Sequence, residues 1–495
     1  MKQIYYSISA ILIFSISVFA QDGSYDASFG TNGTTTTDIP GDNEISVLVA
    51  ENADGSLWAH AIASLNTTST KILVRYSAAG VFDTSFGVDG VVSLPLNGSY
   101  TSLKALPDGS MLIGGVFNED FVVLKYTING VLDTTFGNNG IATIDFETDL
   151  VLSLFVNEDN TALIIGRYRT TNEEGISISK LLADGTIDPT YGSNGVANST
   201  ITTEDEFYTF QISRYSNGGF LVPFRLVDVN ENSRIGFAKI SENGSLDPSF
   251  GNNGVAVNQI ALQSPFSVSA VIQENQGILG LINNRGLNPP IDSESFYIQL
   301  LPNGSLDTGF GNKGVREISH NTFSPLKVIR QENDRTLFIG REWSIDGGNY
   351  TILRSYTDGF IDPSFANQGR FIEPNLDAGE AIITEDGGIV GCAFTPLFNG
   401  PQNIVLFKLL NSPLGVEEEN SKKILIAPNP TNDLISITCT NCDLIGSVFR
   451  IFDATGREVQ TGIFELNNPL ISVESLAAGL YYLSIEATRI KFLKK

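Results

Sequence analysis

Histidine, cysteine, methionine and tryptophan are nearly missing from this chain: 2 His, 3 Cys, 2 Met and 2 Trp occur in 495 residues. So few imidazoles and thiols leave little with which to build a transition-metal centre. Charge is scarce too, at 17% of residues against the roughly 25% usual in soluble domains. What charge there is leans one way, with 30 Lys and Arg against 55 Asp and Glu and a formal net charge of −25. Clustered cations are what bind a phosphate backbone through counterion release, so nucleic acid is not an expected partner. Long apolar runs are absent after residue 20, and none reaches the roughly 20 residues of a spanning helix.

The one early apolar run, 8–19, follows Lys2 and ends Val18-Phe19-Ala20 before Gln21. A charged start, a short apolar centre and a small-residue site define a secretory signal. Cleavage between Ala20 and Gln21 would leave a mature chain with no transmembrane segment. Export to an oxidising compartment makes the cysteines readable. Cys439-Thr440-Asn441-Cys442 has the spacing of zinc and redox sites, but zinc needs a second pair and only Cys392 remains. A local disulfide, or two idle thiols in a loop, suits the strand-like surroundings; Cys392 reads as a small buried residue.

Glycine, at 48 residues, is abundant, and it falls in a repeat. The string D-x-[S/T]-[F/Y]-G-x-x-G recurs with its aromatic at Phe29, Phe86, Phe136, Tyr191, Phe250, Phe310 (where Gly309 stands at the Ser/Thr position) and Phe365, about 56 residues apart. In the last copy Ala366 replaces the first glycine, which puts a positive φ there in doubt. Between motifs come four short runs rich in Val, Ile, Leu and Phe, the first starting directly after the motif. Asp-Gly and Asn-Gly pairs punctuate them as hairpin turns. Helix signals are scarce, so the region is all-β. A basic residue stands eight positions before most motif aspartates: Arg75/Asp83, Lys125/Asp133, Lys180/Asp188, Lys239/Asp247 and Arg354/Asp362, with Gln299/Asp307 neutral. That offset, centred on a turn, places the two side chains opposite one another across a hairpin. A ring of calcium-binding aspartates is the functional alternative, but no D-x-D-x-D loop is present.

Seven such units predict a seven-bladed β-propeller, because a ring leaves only short edges; an open solenoid is the alternative. The first motif, with Asp26, lacks a preceding strand, and the seventh unit has Lys408 but no following motif. Closure would bring Lys408 beside Asp26. Strings such as Leu132-Asp133-Thr134-Thr135-Phe136-Gly137-Asn138-Asn139-Gly140 resemble the delta-60 repeats of bacterial surface and secreted proteins, over roughly residues 23–411. The resemblance implies a propeller-like domain and supplies no catalytic residues.

Composition shifts at residues 412–423, an acidic linker, and residues 424–495 read as a small immunoglobulin-like β-sandwich. Pro428-Asn429-Pro430-Thr431-Asn432-Asp433, then Gly456-Arg457 in F-D-A-T-G-R-E-V, then Gly479 and Tyr481 in L-A-A-G-L-Y-Y-L, together resemble the type A sorting domain of the type IX secretion system. The resemblance implies recognition by the type IX machinery at the outer membrane, and release or attachment at the cell surface. Arg457 and the terminal Lys494-Lys495 are either recognition points or, for Arg457, a turn residue.

No catalytic constellation or cofactor motif is found. His60 and His320 lie near no G-x-S-x-G turn, and no Gly-rich phosphate loop precedes a helix. Insertions at 168–175, 225–233, 281–295 and 341–350 lie between the third and fourth runs and project from one rim. They carry Arg225, Arg285, Arg341 and Trp343, which suit a glycan or protein ligand. The expected function is a binding or adhesion scaffold without enzymatic activity; the alternative is an extracellular glycan- or peptide-cleaving hydrolase.

Overall fold

The computed structural model describes residues 21–39, 43–65, 68–144, 150–258, 265–284, 294–318, 323–331, 335–344, 347–395, 402–411, 423–440, 444, 446–453, 457–464, 469–485 and 488–495. Residues 1–20, expected to be a signal, residues 412–422 of the expected linker, and Cys442, Gly456, Arg285 and His320 lie outside those residues. The described residues contain strands and turns and no helix. One compact unit ends at Asn411 and a second spans Ser412–Lys495.

The first unit holds seven antiparallel sheets among the described residues. Sheet 2 is representative: Ser99–Ala105, Met111–Phe117, Asp120–Tyr126 and Ile141–Ile144 pair in that order. Sheets 1, 3, 4, 5 and 6 begin at Asn43, Leu150, Glu206, Pro265 and Phe323, and sheet 7 at Asp377. The strand after each glycine motif pairs back with the sheet it has just left, as Val91 does with Val74. The sequence reading placed that run at the head of the next unit. The motif is a tight reversal: Phe86 N–H bonds to Asp83 C=O and Val88 N–H to Val91 C=O, which sends the chain back along its own sheet.

The same rule closes the circle. Thr34–Thr37, the strand after the first motif, has no earlier sheet and pairs with Ile404–Leu409 of sheet 7. Asp26 N–H meets the Lys408 carbonyl at 2.8 Å, the geometry seen at Asp83 and Arg75. Lys408 and Asp26 thus meet as expected through the backbone, whereas the Lys408 ammonium turns to Asp386 instead.

Each seam between sheets is filled by a motif aromatic, and six of the seven are buried. Each of the six buried rings lies beneath the outer-turn glycine of the next sheet: a Cβ on Gly130 would meet the Phe86 ring at 2.5 Å, and one on Gly80 would meet Phe29 at 2.7 Å. Gly23 over Phe365 repeats the contact across the closing seam. Burying such a ring contributes about 1.5–3 kcal/mol, and it requires a turn residue without a side chain. Distinct apolar clusters join sheet 6 to sheet 7 and sheet 7 to sheet 1. Ala366 keeps the positive φ, at +45°, contrary to the sequence reading. Its N–H bonds to Asp22 C=O at 2.6 Å and its C=O accepts from Gln21 Nε2 at 2.6 Å, and this local network holds the left-handed backbone in place.

The eight-residue pairs form, at 2.5 Å for Arg75–Asp83, 3.3 Å for Lys125–Asp133, 3.4 Å for Lys180–Asp188, 2.9 Å for Lys239–Asp247 and 2.8 Å for Arg354–Asp362. Each of these aspartates also accepts from the Ser or Thr two residues on, closing an Asx turn. At Asp247 the Ser249 hydroxyl and then the Lys239 ammonium hold the carboxyl at about 2, against the pull of burial.

The second unit has two sheets. One contains Lys423–Ala427, Leu434–Thr440 and Leu470–Ser472; the other contains Glu458–Ile463, Val448–Asp453, Gly479–Ile485 and Thr488–Lys494. Ile435, Ile437, Ile451, Leu483, Ile485 and Phe492 form its core. Cys439 pairs with Ile424 inside a strand rather than lying in a loop. The edge strand Glu458–Ile463 was not read from the sequence, because as an edge it buries too little to show an alternating pattern.

Candidate functional site

First strands touch between sheets 7 and 1, 1 and 2, 2 and 3, 5 and 6, and 6 and 7, so these strands face the middle of the ring. In six of the seven sheets the first strand slips register against its partner, as between Ser46 and Leu48 or Pro325 and Lys327. In sheet 4 the strand breaks between Thr209 and Ser213. A bulge re-aims the side chain it carries, and here it turns long polar groups inward. Gln211, in the break of sheet 4, crosses to sheet 6: its Nε2 donates to the Val328 carbonyl and its Oε1 accepts from Val328 N–H, both at 2.8 Å. Glu380, at the bulge of sheet 7, pairs with the Lys327 ammonium of sheet 6 and accepts from Val49 N–H of sheet 1 at 3.4 Å. None of this convergence was visible in the sequence, where Gln211, Lys327 and Glu380 are scattered single polar letters.

At the mouth of sheet 4, Tyr208 is 37% exposed. The Arg225 guanidinium lies 4.5 Å from its ring centroid and that of Arg167 5.9 Å. The Tyr208 hydroxyl donates to Glu206 at 2.7 Å, and Arg167 Nη1 donates to the Phe207 carbonyl at 2.8 Å. Arg225 therefore lies on the strand Phe220–Val227 rather than in a loop, beside an aromatic that sequence reasoning passed over. Tyr208 would have been found by asking which aromatic is opposite Arg225 in register.

Arg341, another of the expected rim residues, does not join it: it pairs with Asp377 of the next sheet, and burial lowers its guanidinium. Trp343 sits in the strand Thr336–Ser344 opposite Gly348, and Arg285 is outside the described residues. His60 is buried in sheet 1 against Tyr100, and desolvation, helped by Lys71, pulls its imidazole down to about 3. A neutral, enclosed histidine of this kind is a packing residue. Among the described residues no group of three or more His, Cys, Asp or Glu is arranged to hold a metal ion.

A cavity of about 440 Å³ opens at the seam of sheets 7 and 1, lined by Glu51, Asp54, Glu385, Asp386 and Lys408 among others. Burial raises the Glu51 carboxyl. At Asp386 burial acts the same way, but Lys408 and Thr384 outweigh it and hold that carboxyl at about 2.

In the second unit the P-N-P-T-N-D turn clamps the last strand. Asn429 donates from Nδ2 to the Lys491 carbonyl and accepts at Oδ1 from Leu493 N–H, both at 3.0 Å. Thr431 N–H bonds to Leu493 C=O, and Lys495 N–H to Thr431 C=O. Pro428, Pro430, Asn432 and Asp433 are exposed around the clamp, and the Asp433 carbonyl accepts from Val473 N–H. Tyr481 is buried, donates to the Ala477 carbonyl at 2.9 Å and stacks on Phe492; Gly479 opens its strand. Arg457 completes the turn with Asp453, through its N–H at 3.1 Å and its Nε at 3.2 Å, while its side chain stays 78% exposed.

A family model described as a secretion system C-terminal sorting domain matches residues 425–495. A second, described as a β-propeller domain of unknown function, matches residues 106–136 and 226–250. The chain is therefore a propeller-like repeat protein, and its C-terminal unit is a type IX sorting domain that engages the type IX secretion machinery. It is a secreted or cell-surface protein, and no helix among its described residues is long and apolar enough to cross a membrane. No curated protein matches the sequence. Similar solved structures include a polysaccharide lyase, at 11% identity and a TM-score of 0.49, covering 80% of this chain and 94% of that one. Another is PorZ, a surface component of the type-IX secretion system of Porphyromonas gingivalis, at 12% identity and 0.35, covering 96% and 60%. A protein of unknown function from Dyadobacter fermentans follows at 11% and 0.43, covering 77% and 98%. At these scores none of the three bears on function.

Proposed function

We propose that this chain is an exported binding or adhesion scaffold that turns nothing over. In this reading the seven sheets are delta-60 repeats closed into a seven-bladed β-propeller. A signal at residues 1–20 and an immunoglobulin-like sorting sandwich deliver it, and the rim takes a glycan or protein ligand. The observation that carries the reading is Tyr208, a solvent-facing aromatic flanked by the guanidinium groups of Arg225 and Arg167. An aromatic face bordered by planar donors stacks on a sugar ring or peptide group while bonding its edge. The test applies the full secreted chain to glycan and peptide arrays. Tyr208→Ala should weaken capture about tenfold, the worth of one stacked contact. Capture unchanged by the substitution counts against the rim.

The hydrolase reading has one observation in its favour: the seam cavity sets a raised Glu51 carboxyl beside a strongly ionised Asp386. Acid and base roles are divided in this way when neighbouring carboxyls are pushed apart. Release of soluble fragments from an arrayed polymer, abolished by Glu51→Gln, would replace the scaffold by an enzyme.

A further inference from the structure

We propose that the seam between sheets 5 and 6 carries a second ligand site, in which Arg316 and Phe360 take the carboxylate and the ring of a sugar acid. Arg316 lies on Val315–Ile318, the fourth strand of sheet 5, opposite Tyr297. Phe360 follows Gly359, the outer-turn glycine of sheet 6, and its N–H bonds to the Asp358 carboxylate at 3.1 Å in an Asx turn. The Arg316 guanidinium crosses the seam and lies 3.6 Å from the Phe360 ring centroid, with the buried Phe310 ring 5.3 Å away. Both residues break the repeat, and they do so at the same seam. The place of Arg316, second after the last glycine of the motif, is held by Val92, Ala142, Ala197 and Ala256 in sheets 1 to 4. The place of Phe360 is held elsewhere by Val81, Val131, Thr186, Ser245 and Ser305.

One of the two ring contacts has a structural explanation. Arg75 caps Phe86 and Arg354 caps Phe365; sheet 5 has Gln299 at that position, and Arg316 caps Phe310 instead. That need does not extend to Phe360, which fills no seam and is 56% exposed. With one face on the guanidinium, its ring turns the other to solvent. Arg75, Arg169, Arg214, Arg234, Arg354 and Arg370 each meet a carboxylate. Arg316 meets none among the described residues, and its Nε is shut away from solvent without an acceptor, so the two Nη groups are its open edge. A guanidinium held flat by aromatic rings binds a carboxylate through paired N–H donors at such an edge, while the outer face of Phe360 suits the apolar face of a pyranose. A net charge of −25 repels a polyanion, so the ligand that fits is a single uronate in an otherwise neutral saccharide. The site rests on the binding reading for its class of ligand, a sugar, and uses no part of the Tyr208 platform.

The experiment is saturation-transfer NMR on the full secreted chain, titrated separately with sodium glucuronate, glucose and sodium acetate up to about 5 mM, enough to populate a millimolar site. Glucuronate should bind about tenfold more tightly than glucose, the worth of one charge-assisted hydrogen bond, and more tightly than acetate, which has no ring to stack. Arg316→Met, which keeps an apolar stem beside Phe310, should lose the advantage over glucose. Phe360→Ser, which installs the residue that sheets 4 and 5 carry at that place, should weaken glucuronate by a similar factor. No transfer to glucuronate in the wild type overturns the proposal, as does binding of glucose or acetate equal to that of glucuronate. Glucuronate binding unchanged in either variant also overturns it, and leaves Arg316 as a staple across the seam. Should Arg316→Met fail to fold, Phe360→Ser decides, because its ring is exposed and supports little of the core. Tyr208→Ala should leave glucuronate binding intact; loss there would place the sugar at the rim and overturn this site, whereas array capture lost with glucuronate binding kept touches the rim alone.

Discussion

Residues 21–411 carry 21 basic and 45 acidic side chains, a net −24, whereas residues 424–495 carry 6 and 7, a net −1. The repeat region sets six of its 21 cations, Arg75, Lys125, Lys180, Lys239, Arg354 and Lys408, at the same structural position. Arg75 lies between Asp83 and the turn residue Asp54, Lys125 between Asp133 and Asp108, and Lys180 between Asp188 and Asp159. One cation thus ties the inner turn of a sheet to its glycine motif, and Arg75 and Arg354 also cap the seam aromatics Phe86 and Phe365. The sorting domain holds its last strand with an amide and backbone bonds. A ring of repeats has a seam at every sheet and needs a device that recurs with the sequence, while a two-sheet sandwich has one closing strand and needs a single clamp. Glu44 and Glu174 are buried, but many of the remaining acids are solvated surface, which keeps an exported chain apart from its copies.

The largest effect separating the two regions is expected at Arg354. It is buried with Asp362, reaches Asp22 at 3.0 Å across the closing seam, and donates to Ser364 at 3.0 Å. Arg354→Ala strands a buried carboxylate, with Arg335 at 3.1 Å as its remaining cation, and should cost about 3–5 kcal/mol. Both tryptophans, Trp58 and Trp343, belong to the repeat region, so indole fluorescence reads its unfolding alone. Amide exchange over residues 423–495 should stay at the wild-type rate. A matching acceleration there would show that the two regions do not fold independently.

The converse substitution is smaller. Asn429→Ala removes the two side-chain bonds of the clamp to the last strand, at about 1 kcal/mol each, and leaves the two backbone bonds of Thr431. Exchange at Leu493 and its neighbours should quicken, fluorescence unfolding should not move, and less protein should leave the cell. Normal export with quickened exchange would mean that the machinery does not require a docked final strand.

The legibility of the sequence followed the same division. Motif spacing revealed the sheets, the closing pair of Asp26 and Lys408, and the basic–Asp offsets, because the motif recurs seven times and the offset five, and local turn chemistry fixes both. Strand ownership was misread by one position, since a run such as 91–93 looks the same whichever sheet it joins. The positive φ at Ala366 was hidden for a related reason: Asp22 and Gln21, which hold it, are more than 340 residues away. The central contacts of Gln211, Lys327 and Glu380 were invisible, because bulges and ring curvature, neither written as a pattern, bring those residues to neighbouring sheets. Arg225 was identified without Tyr208, as cross-strand register becomes known only when the strand ends are.

The finest test of the comparison lies in the one repeat that lacks the cation. Sheet 5 has Gln299 where its neighbours have Lys or Arg, although Asp307 N–H still bonds to the Gln299 carbonyl at 2.9 Å, so the backbone already presents the pair. Its inner turn supplies Asn275 in place of an aspartate, which removes the second half of the electrostatic tie. Gln299→Lys should therefore gain only the cross-strand term, about 0.2–1 kcal/mol, less whatever the 3.3 Å bond from Gln299 to Gln273 contributes. Gln273 keeps its own bond to the Thr357 carbonyl at 3.0 Å, so the seam beside it is not opened. The gain should appear in fluorescence unfolding at low salt and shrink near 1 M, where the Debye length falls to about 3 Å. Should Gln299→Lys instead destabilise the ring at both salt concentrations, the recurring cation would owe its place to the paired turn aspartate, and Gln299 would be the residue that fits a turn without one.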